Sequence, residues 1–479
     1  MTIHRRSFLL TTGGAALAGL TVRAPAAEPS AGRDGSTSPA LPPLMGNRFL
    51  TFNTVIRVNQ IEVTRSRNAG ADEGGDHTPE TAAAFRNAFE QGWPSGRMTW
   101  AMSWQALQDQ RPNYKAIREL VAGYHRKYGD EITFIPGGYF ANMYNTREQI
   151  NQDLHDALAM VSQMVGGGYR PRSVLAGYLA AENQRYLADQ EGIHVCQGNI
   201  WSQYAIDNGD GDGSICYPYF PSREHFCKPA QRKDDFIDCV NLDGWTCDFI
   251  SARRAGADAK HNSRMGVGPI ETLAQGRGSQ EGGLGHMLAT TAQHFDRGFE
   301  LNGFAWVTDC WELCLVKQFE RQGIKNPLQY LTRWLSEIRK RWPKALCITQ
   351  GEFGLAWREH FKDNAKLDYR FVARGSGFGG SESNLEIRWF MNKDFRLALL
   401  RDWKPDGPER VIDFTRYDLK AQEPPGPGRN WSLMNRINQK GLRPQDKPIP
   451  PAALPEEDQA LIRRRYPELF VAPPQPARR

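Results

Sequence analysis

Residues 98–138 read MTWAMSWQALQDQRPNYKAIRELVAGYHRKYGDEITFIPGG, and the pattern changes period twice along them. Met98 to Trp104 is a short, largely apolar run of strand character. Asn113 to Tyr128 spaces its apolar residues as a helix does, and Glu131 to Pro136 is strand-like again before Gly137-Gly138 breaks it. Strand, helix and strand in that order predict parallel strands joined by a crossover helix.

The unit repeats on both sides. Upstream, Arg48 to Val63 is a strand region and Thr78 to Gly92 a helix, with Thr78-Pro79-Glu80 as N-cap and first turn. Downstream, Thr146 to Val165 places Ile150, Leu154, Leu158 and Val161 on one helix face. Further strands are expected at Ser173 to Leu179, His194 to Trp201, around Phe249, Gly303 to Thr308 and Ala345 to Thr349. A helix carrying Leu328, Leu331, Trp334, Leu335 and Ile338 precedes the last of these. The expectation is an α/β fold: a (β/α) barrel of about seven or eight strands over residues 45–365. A doubly wound open sheet is the alternative. No glycine-rich phosphate loop opens a helix after the first strand.

Past Asp363 the alternation stops. Leu385 to Phe390, Phe395 to Arg401 and Arg410 to Tyr417 read as strands, the first two joined at Asn392-Lys393 as a hairpin, in a small β-rich element over 366–420. Residues 421–479 form a Pro-rich extended tail in which only Glu456 to Arg465 looks helical. At the other end, Arg5-Arg6-Ser7-Phe8-Leu9-Leu10 and the weakly apolar run after it make residues 1–27 a twin-arginine signal peptide, with Ala24-Pro25-Ala26 as cleavage site. Residues 28–44 are a linker. The apolar run falls short of the roughly 20 residues that span a bilayer, so the expected product is periplasmic or secreted, with no membrane partner. The net charge of +6 is well mixed and draws no basic stripe, which argues against nucleic acid. Eight cysteines in an oxidising compartment could pair. Cys216 with Cys227 and Cys239 with Cys247 are the economical local pairings, while Cys196 and Cys347 read as buried thiols.

From His194 to Gln231 the strand gives way to a long aperiodic stretch that mixes aromatics with acids. Long ordered loops of this kind often carry function. Trp201, Tyr204, Asp207 and His225 are its candidate substrate-binding residues, because aromatic faces beside carboxylates suit a sugar ring. A surface loop pinned by its own aromatics is the plainer reading. Within it, Asn208, Asp210 and Asp212 match the first half of a calcium loop, with Tyr219 where a bidentate Glu should stand; a metal-free glycine turn is the alternative.

Thr146 to Gln197, with its long helix, Gly168-Tyr169-Arg170-Pro171 turn and following strands, resembles the polysaccharide deacetylase superfamily of NodB-like barrels. That family opens on Thr-Phe-Asp-Asp-Gly, whose aspartates serve as base and metal ligand, and places a His-x-x-x-His pair after the third strand. Here the corresponding segments are Thr51-Phe52-Asn53-Thr54-Val55 and Tyr139-Phe140-Ala141-Asn142-Met143-Tyr144. The resemblance implies the barrel and argues against the family's zinc chemistry. The NGDGDG loop and Gly351-Glu352-Phe353-Gly354 also look like an uncharacterised family of exported bacterial proteins. Gly-Glu-Phe-Gly at a strand end further resembles the nucleophile segment of several barrel glycoside hydrolases.

Carboxylates after strands supply the remaining candidates. Glu352, Glu182 and Asp309 are the expected catalytic acids, since glycoside hydrolysis uses two carboxylates across a cleft. Trp306 and Trp311, which flank Asp309 and Glu312, are expected to line it. Such acids also cap helices. The sequence therefore predicts a carbohydrate partner and glycoside hydrolysis. A non-catalytic sugar-binding protein and a metal-dependent deacetylase with rearranged ligands are the competing readings.

Overall fold

Strand β1, Arg48–Ile56, is buried at every residue but its first, as expected of a strand covered on both faces. The computed structural model describes residues 40–63, 65, 68–199, 213–257, 269–274, 276, 279–404, 407–429, 431–433 and 447–470. The expected signal peptide lies outside them. Leu41–Arg479 forms one compact unit.

Along one edge β1 pairs in parallel with β7, Ala305–Glu312. Its other edge is shared. β8, Leu346–Cys347, pairs with Phe49 and Leu50, while β2, Thr99–Ser103, pairs with Asn53 to Ile56 and in turn with β3, Glu131–Ile135. A second parallel sheet follows the order β4 (Val174–Leu175), β5 (Val195–Gln197), β6 (Val240–Asn241). Among the described residues the parallel strands are thus hydrogen-bonded as two sheets rather than one continuous ring. The sheets meet at two seams. At one, the Thr133 hydroxyl donates to the Ser173 carbonyl. At the other, Tyr219 exchanges backbone hydrogen bonds with Asn241 of β6, and the hydroxyl of Tyr217 bonds both N–H and C=O of Trp306 on β7.

Helices connect the parallel strands and follow the last of them: α1 (Pro79–Gly92), α2 (Trp104–Gln108), α3 (Pro112–Tyr128), α4 (Ala141–Tyr144), α5 (Arg147–Val165), α6 (Ala181–Tyr186), α7 (Phe249–Ala257), α8 (Pro269–Ala274), α9 (Gln280–Ala292), α10 (Phe299–Asn302), α11 (Cys314–Arg321), α12 (Pro327–Arg341) and α13 (Gln350–Phe361). Their starts are chemically marked. Thr78 accepts from the Thr81 N–H with Pro79 in the first turn, and Thr146 with Gln149 forms a capping box.

The strand expected around Phe249 is instead α7. Asp248 decides this: its Oδ1 accepts the N–H groups of Ile250 and Ser251, at 3.0 and 2.8 Å, as an N-cap does. Oδ2 accepts from Ser381 Oγ at 2.9 Å and Gln293 Nε2 at 3.2 Å. Burial opposes the charge of this fully buried carboxylate, but His286 and these donors hold its pKa below the ordinary value. A group depressed in the folded state stabilises above its unfolded pKa of about 3.9, and that contribution is lost as pH falls through the folded value. Asp248→Ala should cost about 1–3 kcal/mol at neutral pH, read by urea unfolding. The gap between variant and parent should narrow below pH 3.9 or so; a gap independent of pH would contradict the assignment.

C-terminal to α13 lies an antiparallel sheet, β9 (Asp368–Arg374), β10 (Leu385–Asn392), β11 (Phe395–Asp402) and β12 (Arg410–Arg416), in sequential order. The hairpin expected at Asn392-Lys393 joins β10 to β11, and Glu456–Arg465 is helical. The first strand of this sheet went unread in the sequence. The local disulfide pairings are not made: all eight cysteines are buried thiols outside any disulfide. Cys216, for example, points at Met391 of β10, with Sγ 3.7 Å from its Sδ.

Candidate functional site

Side chains alternate across a strand, so three residues along β7 change the face. Trp306 and Cys310 turn to the side where the Phe353 ring of α13 and Tyr139 lie, while Trp311 packs edge-on against Phe85 of α1. Glu312 shares the face of Cys310 and ends the strand, in register with Val55. There it meets Arg57, the first residue after β1, at 2.9 Å.

Arg57 is the centre of the site. Its Nε and Nη2 donate to both oxygens of Glu73, at 2.7 and 3.0 Å, while Nη1 serves Glu312. Only 3% of the Arg57 side chain is exposed, against 14% for that of Glu312. Burial works against its charge, yet Glu312 and Glu73 raise the Arg57 pKa above the ordinary value. Tyr114, from α3, fixes the backbone by donating to the Arg57 carbonyl at 2.8 Å.

The third wall comes from the end of β3. Gly137, Gly138 and Tyr139 all have positive φ, at 62, 58 and 91°, which the glycines adopt freely and a tyrosine does not. The turn places the Tyr139 hydroxyl 2.9 Å from Cys310 Sγ and the Arg57 guanidinium 5.8 Å over its ring. Burial raises both the phenol and the thiol pKa, leaving each neutral. Trp245, after β6, approaches the Tyr139 ring at 6.3 Å and donates to the Cys310 carbonyl. Asp243 lies two residues past β6, 3% exposed. Glu62 ties β1 to β2 by accepting from Val58 N, Ser103 Oγ and Gln105 N. The arrangement gathers a guanidinium, several carboxylates and a phenol where parallel strands end, the usual position for ligands in α/β proteins.

The acids singled out in the sequence are not brought together. Glu352 lies at the opposite end of the strands from Arg57. It closes a capping box with Thr349 at the start of α13 and pairs with Arg97 at 3.0 Å and Arg172 at 3.6 Å, residues that precede β2 and β4. The reason is that β8 pairs only with Phe49 and Leu50, so it ends low on β1 and sends α13 across the strand starts. Gly351 N accordingly donates to Glu131, the first residue of β3. Asp309 was expected past the strand end, but β7 runs on to Glu312. Asp309 pairs in register with Phe52, whose ring meets Phe85 and Phe89 of α1, and it is fully buried on that outer side. Burial raises its pKa far above the ordinary carboxyl value.

Glu182 does sit beyond a strand end, in the first turn of α6. It is half exposed, 3.7 Å from Arg147, beside a cavity of about 190 Å³ that Asn142 and Trp431 also line. Trp306 and Trp311 are core residues on opposite faces of β7 rather than walls of one cleft. His225 is buried, accepts from Cys227 N at 3.1 Å and stacks on Phe226. Trp201, Tyr204 and Asp207, and the calcium candidates Asn208, Asp210 and Asp212, lie outside the described residues. Arg57, Glu73 and Tyr139 were missed. Counting Trp306, Thr308, Cys310 and Glu312 as one face would have singled out Glu312.

A protein-family model described as a domain of unknown function with solved structure, DUF3863, matches residues 42–391. The chain belongs to this family. A companion domain, DUF3864, matches residues 396–469 of this DUF3863 protein. Among solved structures, a candidate glycoside hydrolase/deacetylase from Parabacteroides distasonis is 50% identical, with a TM-score of 0.83, covering 90% of this chain and 100% of its own. A GH57 branching enzyme from Thermococcus kodakaraensis is 9% identical over 70% of this chain and 74% of its own, with a TM-score of 0.40. An alpha-amylase from Thermotoga maritima is also 9% identical, over 64% and 74%, at 0.36. These last two are too distant to bear on function. A search of curated proteins found no match. Among the described residues, no helix is long and apolar enough to cross a membrane.

Proposed function

We propose that this DUF3863 protein is an exported carbohydrate-active hydrolase that works at the C-terminal ends of its parallel strands, at the mouth of a barrel formed by the two sheets together. The observation that carries the reading is Glu312, held by Arg57 at the end of β7 with part of its surface open. The name borne by the 50%-identical Parabacteroides protein supports the substrate class. Glycoside hydrolysis asks for two carboxylates, one proton donor and one nucleophile or base. Glu312 and Asp243 are acids that follow adjoining strands at that rim. Glu312, paired with Arg57 at 2.9 Å, is the candidate nucleophile or base, and Asp243 is the candidate proton donor.

Glu312→Gln preserves shape and removes the charge. It should lower turnover of a cleaved glycan by about 10²–10⁴-fold, while Glu352→Gln, at the far end of the strands, should leave turnover near the parent. A screen over α- and β-linked oligosaccharides and their N-acetylated forms checks this by released reducing ends and released acetate. Equal loss in both variants would refute the assignment of the rim. Binding without turnover by the parent protein would move the reading to a sugar-binding protein.

A further inference from the structure

Beside the Arg57 ion pairs lies a group that glycoside hydrolysis does not use. One ligand atom each of Glu73, His77 and Cys314 lies within 4.8 Å of the other two, and all three residues are buried. They come from separate stretches: Glu73 and His77 from the loop between β1 and α1, and Cys314 from the start of α11, two residues past Glu312.

His77 is what a purely structural role leaves unexplained. Its side chain is 0% exposed, and neither ring nitrogen has a hydrogen-bond partner. Buried polar groups are nearly always partnered. Nε2 faces Glu73 Oε2 at 4.0 Å, beyond hydrogen-bond reach. Imidazole nitrogens are the commonest protein metal ligands.

We propose that Glu73, His77 and Cys314 form a binding site for one zinc ion. Thiolate, imidazole and carboxylate together are the donor set that zinc accepts. A tetrahedral zinc with sulfur at about 2.3 Å and nitrogen and oxygen at about 2.0–2.2 Å spaces its ligands about 3.3–3.6 Å apart. The ligand atoms, now within 4.8 Å of one another, would have to draw together to that spacing on binding. Charge also balances: Glu312 neutralises Arg57, and Glu73 together with Cys314, whose thiol would release its proton to solvent on binding, supplies the two negative charges that a divalent ion requires. Arg57, bonded to both Glu73 oxygens, would orient the ligand from behind, as outer partners of metal ligands do. Three protein ligands leave a fourth position for water. This set differs in residues and in place from the Asp and His-x-x-x-His pattern whose absence the sequence shows, and the site does not depend on the glycosidic reading.

The test is metal binding by the purified full-length chain after chelation and dialysis. Native mass spectrometry should show one zinc per chain, zinc should raise the melting temperature, and cobalt(II) should give a tetrahedral visible spectrum with a thiolate charge-transfer band. His77→Ala and Cys314→Ser should each weaken zinc binding by more than about 100-fold and remove, respectively, the melting shift and the charge-transfer band. No stoichiometric zinc in the parent protein, or a cobalt spectrum without thiolate character, overturns the proposal even if a variant fails to fold. Unchanged affinity in folded variants does so as well.

Discussion

Arg57→Met is expected to destabilise the protein by about 3–5 kcal/mol, the usual consequence of removing one partner from a buried ion pair. The guanidinium serves Glu73 and Glu312 at once, and both carboxylates lie on its own side of the strand ends. Without it they face each other's charge in a dry setting and must take up protons or find water. The loss should therefore be partly recovered by also replacing Glu73 with a neutral residue of similar size, because one carboxylate, the partly exposed Glu312, is then left without its partner instead of two. Urea unfolding of the single and double variants, compared as a thermodynamic cycle, measures this. A single variant within about 1 kcal/mol of the parent would show that the network is a solvated one of little consequence.

Tyr217→Ala is expected to have a comparable effect, about 3–5 kcal/mol for the lost ring. The ring is enclosed by Phe304, Trp306, Tyr369, Phe371 and His294, drawn from the first parallel sheet, the antiparallel sheet and the segment after α9. Tyr217→Phe separates ring from hydroxyl. It keeps the packing but strands the buried N–H and C=O of Trp306, at a cost of about 1–3 kcal/mol. Melting curves of the two variants should therefore be ordered parent, Phe, Ala. If Tyr217→Phe melted with the parent, the seam at β7 would owe nothing to that hydroxyl.

How far the sequence could be read depended on whether a local signal agreed with the tertiary one. Period and caps agree at Thr78, at Thr146 and through Asn113 to Tyr128, and those helices lie where they were expected. Around Phe249 the aromatic and apolar residues suggested a strand, while the deciding group was a buried aspartate one residue earlier. On β7 the polar run Thr308-Asp309-Cys310 looked like a strand end. Pairing with β1 carries the strand on to Glu312, whose place on the face of Trp306 and Cys310 shows only once the alternation is followed past Thr308. That error of register put Asp309 on the wrong face and left Glu312 without a role. Glu352 failed for another reason: a Gly-Glu-Phe-Gly segment has the same letters whether it follows a strand that ends high or one that ends low. Arg57 and Glu73 are separated by loop sequence without a period. Their meeting is a property of the folded chain.

The seam filled by Tyr217 and Tyr219 bears on how the chain is made. The segment that seals the first half of the protein takes its partners from far downstream: Cys216 touches a residue 175 positions later, and Tyr217 waits for Tyr369 and Phe371. At synthesis rates of about 5–20 residues per second, the gap between making one side of that contact and making the other is roughly 10–35 s. During that interval Asn241 and Trp306 become available to Tyr219 and Tyr217, but the Tyr217 ring still lacks its cover from β9. A nascent chain stopped before β9 should behave as a collapsed, sticky intermediate rather than as a finished domain, and chaperone dependence should fall sharply only once the antiparallel sheet has left the ribosome.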